Sequence, residues 1–229
     1  MKQKSFQGFL LYFLYCEIFW QSTQFKKIGS DGMAYNNKTA LIKWIAILTM
    51  TIDHIGYYLF PSLLFLRVVG RIAFPCFLYT TVQGVRETRD FRKYLLRLVL
   101  TGLISMPITA QTGNVFNILF TLALFALSIK DYRFILPAIF LVHFTEYGLY
   151  GLLMGWTIYV LSEKHVGAGV ALFLLVNAMQ FPSLQALAAV ALIPMLLSVN
   201  IQIRPLPKWA GYAYYPIHQV ILMLIARLM

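Results

Sequence analysis

Asp53 and His54 stand together in the segment TMTIDHIGYY, and Arg67 and Arg71 follow in FLRVVGRIAFP, all four in strongly apolar surroundings. An ionised side chain in such surroundings is costly unless it is paired or hydrated, so these four are the first candidates for chemistry. Arg67 and Arg71, four residues apart, share one face of a helix, whereas the adjacent Asp53 and His54 project about 100° apart. Asp53 is therefore read as the counter-ion of an arginine, which leaves His54 as a general base able to take a proton near neutral pH. Arg67 and Arg71 suit a developing oxyanion or an acceptor carboxylate. The plainer alternative is a buried salt bridge that fixes helix packing.

A second set of polar groups falls in later segments. In GYAYYPIHQV, Tyr214 and His218 share a helix face across Pro216. His218 is a candidate for the same site or an interhelical hydrogen-bonding residue. Asn117 and Thr121 in NVFNILFTL also share a face, as further site contacts or as polar glue between helices. In LVHFTEYG, Glu146 is a candidate site acid beside His143 and Tyr147, with a solvated turn residue as the alternative. Pro75 removes the donor that Arg71's carbonyl would meet one turn later, which predicts a kink beside the charged face. His165, between Lys164 and Val166, is assigned no role.

The elements that must hold these groups are membrane helices. The chain has 229 residues, 60% of them hydrophobic and 12% charged, with a mean hydropathy of +0.72. A soluble protein normally carries about a quarter of its residues charged, so lipid is the solvent that fits. The fold class expected is all-α, a polytopic bundle of about nine spans. They run from Leu41 to Phe60, Leu63 to Gly84, Tyr94 to Ala110, Val115 to Ile129, Phe134 to Phe144, Gly148 to Leu161, Val166 to Phe181, Leu184 to Val199 and Trp209 to the C-terminus. Several are shorter than a full span, so the middle ones are candidates for a broken pair. Bases alternate in the loops: Lys26, Lys27, Lys38 and Lys43 before the first span, Arg86 to Arg97 after the second, Lys130 and Arg133 after the fourth, Lys164 after the sixth, Arg204 and Lys208 after the eighth. By the positive-inside rule the N-terminus is cytoplasmic.

A net charge of +11 then reads as orientation and lipid contact, with no nucleic acid implied. Cys16 and Cys76 lie in apolar runs far from any Cys/His ligand spacing, so no metal site or disulfide is expected. Residues 1–37 form a separate region: Phe6 to Trp20 is apolar and aromatic but short and interrupted by Glu17, as in an interfacial helix, or an extension ahead of Met33.

From about Lys38 to the C-terminus, the ordered landmarks MTIDHIG, LRVVGRIAFPCF, RKYLLRLVLTGLIS, NILFTLALF, EYGLYG and YYPIHQVIL resemble the TraX family, named for a conjugative protein that N-acetylates pilin. The family pattern usually carries Asp where this chain has Glu146. The resemblance implies a membrane domain over 38–229 and an acyltransferase in the inner or cytoplasmic membrane. It would move an acetyl or other short acyl group from acyl-CoA to a peptide N-terminus, a sugar or another surface acceptor. No Ser or Cys beside a base stands out as a nucleophile, so direct transfer is expected. The phosphates of CoA would meet the densest basic segment, Arg86, Arg92, Lys93 and Arg97, although topology alone accounts for the same charges. Two other classes stay open: a proton-coupled transporter or flippase, against which no inverted repeat is visible, and a structural subunit of a conjugation or secretion complex.

Overall fold

The computed structural model describes residues 32–109, 115–163, 165–197 and 203–229. Asn37–Met229 form the compact unit that holds the site. Met1–Asn36 are a separate unit, and the interfacial helix expected over Phe6 to Trp20 lies outside the described residues.

Among the described residues the structure is helical, and its β-type pairing is one isolated parallel bridge between Phe116 and Thr145. The elements in order are α1 (Gly32–Tyr58), α2 (Leu64–Gly70), α3 (Ala73–Glu87), α4 (Phe91–Thr109), α5 (Ile118–Lys130) and α6 (Ile135–Leu141). α7 (Gly148–Ser162), α8 (Val166–Ala178), α9 (Leu192–Leu196) and α10 (Lys208–Leu228) complete the set. Short 3-10 turns flank α6, and a longer one, Leu184–Ala191, leads into α9. The segment expected as a span from Leu184 thus begins as a 3-10 helix.

Among the described residues, two stretches are long and apolar enough to cross a membrane, Asn37–Tyr58 and Leu64–Glu87. Within α1 the hydroxyls of Thr49 and Thr51 donate to the carbonyls of Ile45 and Ile47, four residues back, at 2.7 and 2.8 Å. They need no other partner to sit in apolar surroundings. The second stretch is interrupted between α2 and α3. There the N–H groups of Arg71 and Ile72 donate to Val68 and Val69, three residues back, tightening one turn. The interruption ends just before Pro75, whose missing N–H leaves Arg71's carbonyl without its usual donor.

The core is built around the fully buried rings of Phe74, Phe125 and Phe173 together with Leu78, Met154 and Ile158. Close approach is set by small residues. A Cβ on Gly169 would lie 2.4 Å from the backbone of Leu161, so α8 folds back against α7 only with glycine there. The outer surface is apolar: Leu136, Phe140 and Phe181 are 78%, 68% and 81% exposed.

Candidate functional site

A cavity of about 320 Å³ lies between α1, α2, α3, α5, the turn before α7, and α10. Asp53, His54, Arg67, Arg71 and Glu146 line it, with Tyr147, Tyr215 and Gln219. Its size is that of a small-molecule site.

The tight turn through Pro61 makes α1 and α2 antiparallel neighbours, and Asp53 receives both arginines. Arg67 Nη1 donates to Asp53 Oδ2 at 2.6 Å and to the Asp53 carbonyl at 3.0 Å, while Arg71 Nη2 donates to Oδ1 at 3.0 Å. Glycine allows this closeness, because a Cβ on Gly70 would stand 2.0 Å from Asp53 Oδ1. Arg71 is held on every side, its Nε donating to the Arg67 carbonyl and its Nη1 to Gln185 Oε1 at 3.0 Å. Gln185 continues the chain to the Tyr150 hydroxyl, and that hydroxyl donates to Asn177 at 3.0 Å. Arg67, by contrast, keeps Nε and Nη2 without a hydrogen-bond partner among the described residues, with its guanidinium 5.1 Å above the Tyr57 ring. Of the two, Arg67 has donors to offer a ligand.

His54 does not stand free beside this cluster. Its Nδ1 lies 2.9 Å from His218 Nε2, and His218 Nδ1 lies 2.7 Å from the Tyr214 carbonyl, which only accepts. For neutral imidazoles that carbonyl fixes every proton: His218 Nδ1 carries N–H, its Nε2 accepts, and His54 Nδ1 therefore donates. His54 Nε2 is left as the unprotonated nitrogen. The Tyr214 ring stacks nearly parallel on His218 at 4.8 Å, and its hydroxyl lies 2.7 Å from Thr51 Oγ1, which fastens α10 to α1 beside the histidine pair.

Glu146 reaches the cavity from an unusual turn. The N–H of Phe116 donates to Phe144, and the N–H of Glu146 donates back to Phe116, both at 3.0 Å. Glu146 Oε2 accepts from the N–H of Ile118 at 2.9 Å, at the start of α5, where a carboxylate meets the helix dipole favourably. Tyr147 then adopts φ 64°, a left-handed conformation strained for a non-glycine residue. Its ring stacks on Phe74 at 4.0 Å. Burial pushes its hydroxyl above the ordinary tyrosine range, which keeps it a donor.

The remaining sequence candidates lie elsewhere. Asn117 caps α5 by accepting from Leu119 and donates to the Gly102 carbonyl at 2.8 Å. Thr121 donates to the Glu146 carbonyl at 2.5 Å and lies 2.9 Å from Thr145 Oγ1, so both residues build the turn and neither lines the cavity. The basic segment does not converge. Arg86 pairs with Glu163, Lys93 pairs with Asp90 at 3.4 Å, Arg92 is exposed, and Arg97 lies over the Tyr212 ring on α10. Gln185, Gln219 and Tyr147 are among the cavity and support residues that the sequence did not single out. Neutral amides in apolar runs give little signal, and the one hint for Tyr147 is the Gly148 that follows it.

The model of the TraX family, described as TraX protein, matches residues 38–226. The chain belongs to the TraX family. It is also similar to an uncharacterised protein of Rickettsia prowazekii (strain Madrid E), 51% identical over 43 residues, which are 19% of this chain and 17% of that protein. A probable fimbrial assembly protein of Dichelobacter nodosus, FimC of serogroup H1, is 34% identical over 42% of this chain and 48% of its own length. The matches thus span less than half the length of these curated relatives. No solved structure matches the chain.

Proposed function

We propose that this TraX family member is a multi-pass inner or cytoplasmic membrane acyltransferase that moves an acetyl or short acyl group from acyl-CoA to an amine or hydroxyl acceptor at the outer half of the membrane. The observation that carries the reading is the tautomer chain from the Tyr214 carbonyl through His218 to His54, which presents His54 Nε2 as a base in a cavity. His54 Nε2 takes the proton of the acceptor as its nitrogen or oxygen attacks the thioester carbonyl, and the tetrahedral oxyanion is met by the free N–H groups of Arg67. Collapse breaks the acyl–sulfur bond, and His54 returns the proton to the departing thiolate. Asp53 keeps the two guanidiniums from repelling each other, and Arg71 holds Asp53 in place.

Lipid suits the apolar outer surface, and nine crossings from a cytoplasmic N-terminus agree with the alternation of loop bases. The acceptor proposed is a pilin-type peptide N-terminus or another surface component, a choice supported by the fimbrial assembly protein of Dichelobacter nodosus. That relative's name also favours a second reading, an assembly component that performs no chemistry. Release of free CoA from acetyl-CoA by the full chain in lipid nanodiscs, with peptide and sugar acceptors, separates the two. Acceptor-dependent release that is lost in His54→Ala supports the transferase. Folded protein that releases none with any acceptor contradicts it.

A further inference from the structure

Among the described residues, Tyr147 is the one non-glycine residue with left-handed backbone, at φ 64°, and Gly148 follows it at φ 49°. The pair leads the chain from the 3-10 turn Val142–Phe144 into α7. Such strain persists only where the surroundings hold it, and it gathers at functional sites. Here the hold is specific: the Tyr147 ring stacks on Phe74 at 4.0 Å, and a Cβ on Gly151 would stand 2.9 Å from Tyr147 Cβ and 3.0 Å from Phe74 Cζ. Glycine at 151 lets the two rings pack this closely.

Packing accounts for the ring and leaves the hydroxyl without a role. Tyr58, Tyr150 and Tyr214 place theirs against Gln219, Asn177 and Thr51. The Tyr147 hydroxyl makes no hydrogen bond among the described residues, although the residue lines the cavity. Besides burial, the charges of Arg71, Asp53 and Glu146 act on it, so it lies at the charged side of the cavity. A hydroxyl held by strained backbone, without a partner in the fold, in the cavity that also holds His54 and Arg67, is placed to meet a bound molecule.

We infer that Tyr147 is a further catalytic residue, whose hydroxyl donates a hydrogen bond to the oxyanion formed when the acceptor attacks the thioester carbonyl. The inference deepens the transferase reading above and rests on it. Arg67 meets the same oxygen with a guanidinium N–H, so the developing negative charge receives one charged and one neutral donor. Tyr147 keeps its proton throughout. The carbonyl π pair moves onto oxygen as the bond from acceptor to carbon forms, and it returns as the carbon–sulfur bond breaks. The proton that His54 took from the acceptor goes to the departing thiolate. A phenol suits the role because it donates without adding positive charge to a cluster that already holds two guanidiniums.

Tyr147→Phe tests it, because the ring and the backbone stay and only a hydroxyl without a partner in the fold is lost. Acceptor-dependent CoA release from acetyl-CoA by the full chain in lipid nanodiscs is the readout. The expected result is a fall of about 10²–10³ in kcat, with KM for acetyl-CoA and for the acceptor near their wild-type values and an unchanged thermal transition. A second measurement does not depend on that variant folding: fluorotyrosine at position 147 keeps the hydroxyl and makes the phenol more acidic. Since a phenolate cannot donate, kcat then falls at a lower alkaline pH than in the wild type, a shift that a tyrosine serving only the fold would not cause. Wild-type kcat in folded Tyr147→Phe, or an alkaline fall that ignores the fluorine, overturns the inference and leaves the transferase standing. So does a rise in acceptor KM with kcat unchanged, because the hydroxyl then binds the acceptor in its ground state. If the wild type releases no CoA with any acceptor, the transferase reading fails and this inference with it.

Discussion

Two clusters of charge differ more in how they are held than in what they contain. Around Asp53, two arginines converge on one carboxylate, a glycine removes the side chain that would keep them apart, and Gln185 takes the remaining donor of Arg71. Between Arg86 and Arg97 there are more cations, yet Arg86, Lys93 and Arg97 each meet a separate local neighbour, Glu163, Asp90 and the ring of Tyr212. Asp90 is exposed, and its carboxyl is held below the usual range mainly by hydrogen bonding from the Lys93 backbone. The number of charges in a segment says little about function. Convergence on a cavity, with burial and a neighbour that cannot be replaced, is what separates a site from a topogenic loop.

The sharpest test of that contrast removes the shared carboxylate. Asp53→Ala leaves two guanidiniums without a counter-ion in an apolar bundle. Breaking a buried pair typically costs about 3–5 kcal/mol, and the partial exposure of these side chains places the loss near the lower end. Thermal unfolding of the purified protein in detergent measures it, and an unchanged transition would show that the cluster is not structural. Next in size is Gly70→Ala, whose new methyl group occupies the place of Asp53 Oδ1. Overpacking of this kind costs about 1–3 kcal/mol and here also displaces the carboxylate, so activity falls along with the melting temperature. Smaller still, Arg86→Ala removes a single, partly exposed ion pair with Glu163 and leaves no second cation uncompensated, at a cost of about 1 kcal/mol. Arg92→Ala changes stability by no more than about 0.5 kcal/mol. Neither alters donor binding; a loss of acetyl-CoA affinity in either would erase the distinction between the two regions.

The Asp53 contact with Arg67 and Arg71 was legible because spacing and charge speak for themselves: two like charges four apart, one acid on the preceding helix and a connection too short for anything but antiparallel packing. The pairing of His54 with His218 was not, since 164 residues separate them and only the packing of α10 against α1 brings the rings together. Asn117 and Thr121 follow the second of their two readings, polar contacts between segments. Their shared face resembles a binding surface, but a helix start and a strained turn have prior demands on hydrogen-bonding side chains, and these take them up. Gln185 sits on a 3-10 helix, where helical periodicity does not apply, and a neutral amide in an apolar run gives no charge signal. The helical class followed from composition. The break at Arg71 and Ile72 was foreshadowed by Pro75, whereas the 3-10 start at Leu184 had no comparable marker.

The central claim is that His218 acts through His54 by fixing its tautomer, so that the two form one unit. It is tested most directly by acceptor-dependent CoA release from acetyl-CoA for His54→Ala, His218→Ala and the double variant. The expected result is a loss of about 10²–10⁴ in kcat for His54→Ala, a smaller loss for His218→Ala, and a double variant no worse than His54→Ala alone. Losses that multiply in the double variant, or a His54→Ala protein as active as the wild type, would contradict it.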